Sequence, residues 1–304
     1  MTTFVRGPAA RVRCAAILLA AMLLVSCTSA SEQGTATAAT TAVPVPTTVR
    51  LMTYNIRYDN PGDVPSWEQR RDALARQVEF TDPDVIGLQE ARPNQVTFLV
   101  EQWPGFDHYG LGRDDGVNGE AMIVFWRRDR FEAVSTETQW CSPTPDRPSK
   151  GWDADLPRTV TRVVLRDRQS GAVLDVRNTH LDNKGSVARE NCAQQIAGIT
   201  PAPGATVIVM GDLNATVDSA PYQILTGDAV GLKDARIGAA VDFGPPGTVN
   251  DFDITATEGP RIDFILVPRG DPVTRFGVLT DSFGGGLVIS DHFPVVADVT
   301  VGSG

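Results

Sequence analysis

The alternation of apolar and polar residues predicts a chain of short strands with a few helices between them. Residues 49–56 alternate and are rich in β-forming side chains, which is typical of a strand. Further strands are predicted at 85–88, 121–127, 159–166, 172–178, 206–210, 262–267 and 293–301. Helices are predicted at 67–80, after Pro93 and near 187–199, and a Gly/Pro-rich surface loop at 238–259. This strand-rich order favours a two-sheet α/β sandwich over a doubly wound sheet.

The first 26 residues have the pattern of an export signal. Arg6, Arg11 and Arg13 precede an apolar run at 15–25, which at 11 residues is too short for the roughly 20 needed to span a bilayer. The run ends in Leu-Val-Ser-Cys at 24–27, which resembles the lipobox of bacterial lipoproteins and implies lipidation of Cys27. An ordinary secretory signal cleaved nearby is the alternative. Either way we expect an exported protein, anchored to the cell membrane or secreted.

The remaining chain divides into a tether and one domain. Residues 27–48 carry the cysteine and a Thr/Ala/Pro-rich stretch without apolar periodicity, as in a flexible linker. Residues 49–302 contain no second linker and no repeat, and their length is usual for one large α/β domain. We expect this domain to be a monomer.

The composition limits which ligands and metal sites are expected. Removing residues 1–26 removes three arginines and no acids, so the net charge moves from −10 to −13. Such acidity disfavours non-specific nucleic-acid binding, which depends on basic side chains that neutralise phosphates. The chain has only three histidines, none closely spaced, so a histidine-rich zinc site is disfavoured and oxygen-ligated metals remain. Cys141 and Cys192 are either a disulfide or two buried thiols.

Polar residues follow or precede the predicted strands. Asn55 and Glu90 come at the ends of the first two. The other polar strand-end residues are Asn178-Thr179-His180, Asp212 and Asn214 after two later strands, and Asp291 and His292 at the start of the last. Asn and Asp alone often mark turns, because they bond to their own backbone. We nevertheless expect these strand ends to converge on one rim of a sheet.

Together these residues resemble, in order, the motif series of the endonuclease/exonuclease/phosphatase superfamily. The resemblance covers roughly 49–301, and its motifs are Tyr54-Asn55, Gln89-Glu90, Asn178-Thr179-His180-Leu181-Asp182, Gly211-Asp212-Leu213-Asn214, Arg261-Ile262-Asp263 and Ser290-Asp291-His292-Phe293-Pro294. It implies a DNase I-like, four-layer α/β sandwich of two mixed β-sheets flanked by helices. It also implies a metal-dependent phosphoesterase.

The chemistry of phosphoester hydrolysis explains why these residue types occur. Water must approach an anionic centre, so charge neutralisation and positioning dominate. Mg²⁺ prefers carboxylates with amide oxygens, and the resemblance makes Glu90 a metal ligand with Asn55 and Asp291 as partners. Mn²⁺ is a possible substitute.

The resemblance also implies roles for the other motif residues. His292 accepts the proton of water while Asp263 holds its other ring nitrogen. Asp212 is the rival base, and the sequence leaves this choice open. Asn214 is expected to hold a phosphoryl oxygen and His180 to donate to the phosphate.

Other residues near these motifs have two alternative roles each or lie at the edge of the expected cleft. Glu120 falls where the family often has a polar site residue, and Arg158 either binds a phosphate or begins a surface strand. Arg57 and Tyr58 are expected at the mouth of the cleft, and His108 outside the site. The stretches 66–71 and 150–153 either shape the substrate pocket or only pack.

These inferences predict an exported Mg²⁺-dependent phosphoesterase acting on a small or lipid-linked ester. Superfamily membership does not fix the substrate, so an extracellular nuclease acting on DNA or RNA is the alternative. That alternative is disfavoured because Lys150, Lys184 and Lys233 are the only lysines of the domain. A second alternative is a non-catalytic lipoprotein that binds phosphorylated ligands.

Overall fold

Four helices and fifteen strands build the part of the chain that the computed structural model describes, residues 45–302. The helices are α1 (Trp67–Thr81), α2 (Pro93–Gln102), α3 (Ser186–Gly198) and α4 (Ala220–Thr226). The strands are β1 (Thr47–Asn55), β2 (Val85–Ala91), β3 (Phe106–Tyr109), β4 (Ala121–Arg127), β5 (Phe131–Trp140), β6 (Thr159–Asp167), β7 (Val173–His180), β8 (Ala205–Asp212), β9 (Leu232–Asp234), β10 (Val241–Phe243), β11 (Asp263–Pro268), β12 (Val273–Val278), β13 (Ser282–Phe283), β14 (Leu287–Val288) and β15 (Val295–Val301).

Two mixed sheets form the centre of the fold. The seven-stranded sheet has the order β10-β12-β15-β1-β2-β4-β3, and the six-stranded sheet has the order β5-β6-β7-β8-β11-β9. β1 runs parallel to β2 and antiparallel to β15, while β8 runs parallel to β7 and antiparallel to β11. The ends of β1, β2, β7 and β8 and the starts of β11 and β15 can therefore carry one site.

Three apolar clusters show how the layers stack. The first joins the inner faces of the two sheets, with Leu51 and Val124 from one sheet and Val176 and Ile208 from the other. The second packs α1 and α2 on the outer face of the seven-stranded sheet, and the third packs α3 and α4 on the other sheet. The four-layer α/β sandwich expected from the sequence is thus confirmed.

The predicted elements occur close to their expected bounds, with informative exceptions. β1 begins at Thr47, inside the predicted tether, because Thr47 and Thr48 pair with Val301 and Thr300. β5 was not predicted because it is an edge strand with a largely exposed middle, so its sequence lacks apolar alternation. Within the predicted loop at 238–259, β10 pairs with β12.

The signal peptide, Cys27 and residues 28–44 of the tether lie outside the described residues. Among residues 45–302, no helix is both long enough and apolar enough to cross a membrane. Cys141 and Cys192 form a disulfide with a Cα–Cα distance of 5.0 Å, which ties the segment after β5 to α3.

The side-chain amide of Asn178 links the two sheets by hydrogen bonds. Asn178 on β7 is fully buried, and its Nδ2 donates to the carbonyl oxygens of Leu88 and Ile123 at 2.8 and 3.0 Å. Its Oδ1 accepts from Gln89 Nε2 at 2.7 Å. Gly87 makes room for this amide, since a Cβ there would lie 2.9 Å from Asn178 Oδ1. These bonds position β7 of one sheet relative to β2 and β4 of the other.

Replacing this amide should destabilise the fold. We expect Asn178→Ala to lower the free energy of unfolding by about 3 kcal/mol or more, because several buried groups lose a partner at roughly 1–3 kcal/mol each. Urea denaturation measures the change. Asn191→Ala is the control, because Asn191 is only partly buried and its side chain bonds only within α3; equal small effects of both variants would contradict the prediction.

Candidate active site

The predicted polar residues meet at one end of the sandwich, on the rims of both sheets. Asn55 and Glu90 lie at the ends of β1 and β2, and Asp291 and His292 precede the antiparallel β15. These four belong to the seven-stranded sheet. The expectation of one rim of one sheet is therefore wrong, because the remaining site residues come from the other sheet.

The six-stranded sheet supplies the second half of the site. His180 and Asp212 end the parallel strands β7 and β8, and Asp263 begins the antiparallel β11 directly opposite Asp212. Between the two rims lies a cleft of about 500 Å³. Its lining residues are Arg57, Tyr58, Glu90, Arg92, Arg113, Glu120, Leu156, Arg158, His180, Asn183, Asp212, Asn214, Asp291 and His292.

His292 and Asp263 form the expected pair. His292 Nδ1 and Asp263 Oδ2 lie 2.9 Å apart, and both residues are buried. Burial opposes a charge on His292, but the carboxylates of Asp263, Asp212 and Asp291 outweigh it, so the pKa of His292 is well above its ordinary value. The pair leaves Nε2 as the ring nitrogen available to a reacting group and stabilises the imidazolium.

Asp212 lies between the two halves of the site. Its Oδ2 accepts from Asn55 Nδ2 at 3.0 Å, and its Oδ1 accepts from the backbone N–H of Asn214 at 2.8 Å. Burial, together with the charge of Asp263, raises the pKa of Asp212 to about 7. A carboxyl group with this pKa is suited to exchange a proton with water near neutral pH.

The backbone aims Glu90 into the cleft. The pairing of β2 with β4 is irregular between Leu88 and Ala91, and Glu90 has a φ of 64°. A left-handed conformation is unfavourable for a residue with a Cβ, and such bulges re-aim side chains near active sites. Glu90 Oε1 accepts from Asn55 Nδ2 at 3.1 Å, which holds the carboxylate in place.

These side chains fit a hard divalent cation. Burial raises the pKa of Asp291; the charge of His292 opposes this rise, and the charge of Glu90 adds to it. Two neighbouring carboxylates that repel each other suit a hard divalent cation. Asn55 turns its amide nitrogen toward Glu90, while its amide oxygen accepts from the Arg57 N–H at 3.1 Å and could add a third oxygen ligand. Arg57 Nη1 is 3.5 Å from Asp291 Oδ2 and offsets part of the charge.

His180 is held as a neutral donor. Burial, reinforced by Arg158 and Arg113, lowers the pKa of His180 well below its ordinary value. Asn214 Nδ2 donates to His180 Nε2 at 2.9 Å and to Leu181 O at 3.0 Å. Nε2 is therefore an acceptor, and this pattern assigns the proton to Nδ1. Both amide hydrogens of Asn214 are used in this way, so Asn214 orients His180, while its expected contact with a phosphoryl oxygen stays a prediction.

Three nitrogens of residues in the cleft wall are buried without a partner among the described residues: His180 Nδ1, Arg158 Nη1 and Arg113 Nε. Arg158 is positioned by its other nitrogens, since Nε donates to Asp182 at 3.2 Å and Nη2 to Asn183 at 3.1 Å. Buried donors without partners are rare because each is costly. All three belong to residues that line the cleft, where an anion is the ligand that such donors suit.

Arg92, Arg113 and Asn183 also line the cleft, although no sequence motif marks them as site residues. Arg113 donates to both oxygens of Glu120 at 2.7 and 2.8 Å, which is how Glu120 is held at the site. Arg113 and Glu120 do not belong to a common sequence motif. The only sequence signal was the motif around Glu120, and it carried no information on a partner.

The stretches 66–71 and 150–153 do not line the cleft, and each makes hydrogen bonds that hold neighbouring backbone in place. Arg70 is fully buried and donates to the carbonyl oxygens of Ile56 and Arg57 at 2.5 and 2.6 Å, beneath the segment that follows Asn55. Asp153 Oδ1 accepts from the N–H of Ala188 at 2.7 Å and caps the start of α3. His108 stacks on Phe125 outside the cleft, as expected.

Comparison with known proteins agrees with this arrangement. The sequence pattern of the Endonuclease/Exonuclease/phosphatase family matches residues 52–292. A crystal structure of a family protein from Bacteroides thetaiotaomicron is 32% identical, with a TM-score of 0.80 over 85% of this chain and 96% of that one. A mannosyl-6-phosphatase from the same organism is 33% identical, with a TM-score of 0.77 over 83% of this chain and 99% of that one.

A more distant sequence relative is a nuclease. The CCR4-Not complex 3'-5'-exoribonuclease subunit Ccr4 of Emericella nidulans is 26% identical over 172 residues, which are 46% of this chain and 25% of that protein. The match thus spans only a part of each protein.

Loss of the His292 imidazole should reduce turnover of a phosphoester substrate. We expect His292→Ala to lower kcat by about 10²–10⁴-fold, the range for a general acid or base. Asp263→Asn should also lower kcat, because an amide cannot stabilise the imidazolium. Steady-state kinetics checks both variants, and His108→Ala is the control. Unchanged kcat in His292→Ala would contradict the assignment.

Proposed function

The chain belongs to the endonuclease/exonuclease/phosphatase family of metal-dependent phosphoric ester hydrolases, and we propose that it is an exported enzyme that hydrolyses small or lipid-linked phosphate esters with Mg²⁺. One observation carries this proposal. His180 and Arg158, each with a buried nitrogen that has no partner among the described residues, line the same cleft as Glu90 and Asp291. One wall thus suits an anionic phosphate and the other a divalent cation.

In the proposed reaction, Glu90, Asn55 and Asp291 would hold the ion, with Mn²⁺ as a possible substitute. When bound, the ion supplies positive charge that polarises a phosphoryl oxygen. Asp212, with its pKa near neutrality, accepts a proton from the attacking water. His292 is kept protonated by Asp263 and donates its proton to the ester oxygen that leaves as its bond to phosphorus breaks. His180 Nδ1 and Arg158 Nη1 donate to the phosphoryl oxygens.

The cleft and a structural relative favour a small ester. A volume of about 500 Å³ is in the range of small-molecule sites. The mannosyl-6-phosphatase relative is named for a sugar phosphate, so sugar monophosphates are the first class to test. The cleft is nevertheless lined by four arginines, Arg57, Arg92, Arg113 and Arg158. That lining and the exoribonuclease relative keep a nuclease as the second candidate.

A substrate screen separates the candidates. We expect the purified protein to release phosphate from hexose 6-phosphates or phospholipid headgroups in Mg²⁺, to lose activity in EDTA, and to leave plasmid DNA and RNA largely intact at physiological salt. Glu90→Ala should be inactive on every ester. Rapid degradation of DNA or RNA with the small esters untouched would favour the nuclease, and phosphate binding without any turnover would favour a non-catalytic role.

Export and anchoring rest on the N-terminal sequence and on the disulfide. The Leu-Val-Ser-Cys sequence at 24–27 follows the apolar run directly, and disulfides such as Cys141–Cys192 persist in oxidising compartments. We expect wild-type protein expressed in a bacterium to fractionate with membranes and to incorporate labelled fatty acid, whereas Cys27→Ala does neither. A soluble, unlabelled wild type that lacks residues 1–26 would instead indicate ordinary secretion.

A further inference from the structure

Arg113 is a buried arginine in the wall of the cleft that the reaction described above does not use. Its Nη1 and Nη2 donate to Glu120 Oε2 and Oε1 at 2.7 and 2.8 Å, in the bidentate geometry that matches a carboxylate. The backbone fixes the pair further, because Arg113 N donates to Glu120 O at 3.0 Å and Trp140 Nε1 donates to Arg113 O at 2.7 Å. Arg113 thus holds Glu120 in one orientation.

Glu120 lies next to the donor that the proposed reaction needs. One carboxylate oxygen of Glu120, one of Glu90 and a ring nitrogen of His180 all lie within 4.8 Å of one another. His180 Nε2 already accepts from Asn214, so the proton is on Nδ1, which is buried and has no partner among the described residues. The pair with Arg113 uses only two of the roughly four lone-pair sites of the carboxylate, so it is the fixed orientation of Glu120 that keeps it from accepting that proton.

We propose that Arg113 is a positioning residue that keeps Glu120 away from His180, so that the Nδ1–H of His180 remains available to a phosphoryl oxygen. The inference rests on the proposed function of the cleft. Arg113 also balances the charge of Glu120, which would otherwise repel an anionic substrate beside Glu90. On this account Arg113 acts through Glu120 and need not touch the substrate.

The double variant distinguishes this role from a contact with substrate. We expect Arg113→Met to lower kcat/KM for a phosphate monoester and the affinity for inorganic phosphate by about 10- to 100-fold, the change for one lost hydrogen bond to a charged group. Adding Glu120→Gln to Arg113→Met should restore a large part of both, because the competing charge is gone. Arg128→Met, which removes an exposed arginine paired with Asp107, should change neither.

Proton NMR of the imidazole gives a readout that does not depend on turnover. In Arg113→Met the Nδ1–H signal of His180 should move downfield, because the proton enters a charge-assisted hydrogen bond with Glu120. In the wild type and in the double variant it should not. If Arg113→Met does not fold, Arg113→Lys with and without Glu120→Gln replaces it. Lysine keeps the positive charge but cannot form the bidentate pair with a carboxylate.

A double variant as impaired as Arg113→Met, with no shift of the His180 signal in the single variant, would overturn the proposal. Failure of the proposed function has a different signature, namely a wild type that hydrolyses no phosphoester. In that event, binding of inorganic phosphate measured by calorimetry and the NMR signal still decide the role of Arg113.

Discussion

The site depends on the fixed placement of one sheet against the other, and two asparagine amides provide it. Asn178 crosses the apolar space between the sheets and bonds to the backbone of β2 and β4. At the rim, Asn55 Nδ2 donates both to Glu90 in its own sheet and to Asp212 in the other. An amide offers two donors and an acceptor in a rigid plane. Displacement of either sheet would therefore break bonds that water cannot replace in a buried interface.

This placement explains why the two walls of the cleft differ chemically. The seven-stranded sheet contributes Glu90 and Asp291, whose carboxylates suit a cation, and the six-stranded sheet contributes donors suited to an anion. The net charge of −10 describes the whole chain, whereas four arginines line this one cleft. Low-dielectric walls focus the local field, so the residues of the cleft govern which substrate approaches. Net charge is a weak guide to substrate for that reason.

The sequence predicted the parts of the fold that follow local rules. Strands with apolar alternation, such as β1 and β4, and the motif residues beside them were found because both signals lie in consecutive residues. The edge strand β5 was missed because its exposed middle gives no alternation. Arg113 was missed because its pairing with Glu120 depends on how the chain between them folds, and no sequence motif marks it. The division of the site between two sheets was likewise a property of the packed chain.

Three residues of the site have backbone conformations that local propensity disfavours. Arg57, Glu90 and Asn214 have φ values of 53°, 64° and 45°, although none is glycine. Each left-handed residue costs roughly 1–2 kcal/mol, so it persists only where surrounding contacts determine it. Arg70 and Gln95 bond to the Arg57 carbonyl, Asn55 Nδ2 donates to Glu90 Oε1, and Asn214 Nδ2 donates to Leu181 O. Contacts far apart in the chain therefore hold the site in conformations that local propensity opposes, which is why propensity alone could not describe it.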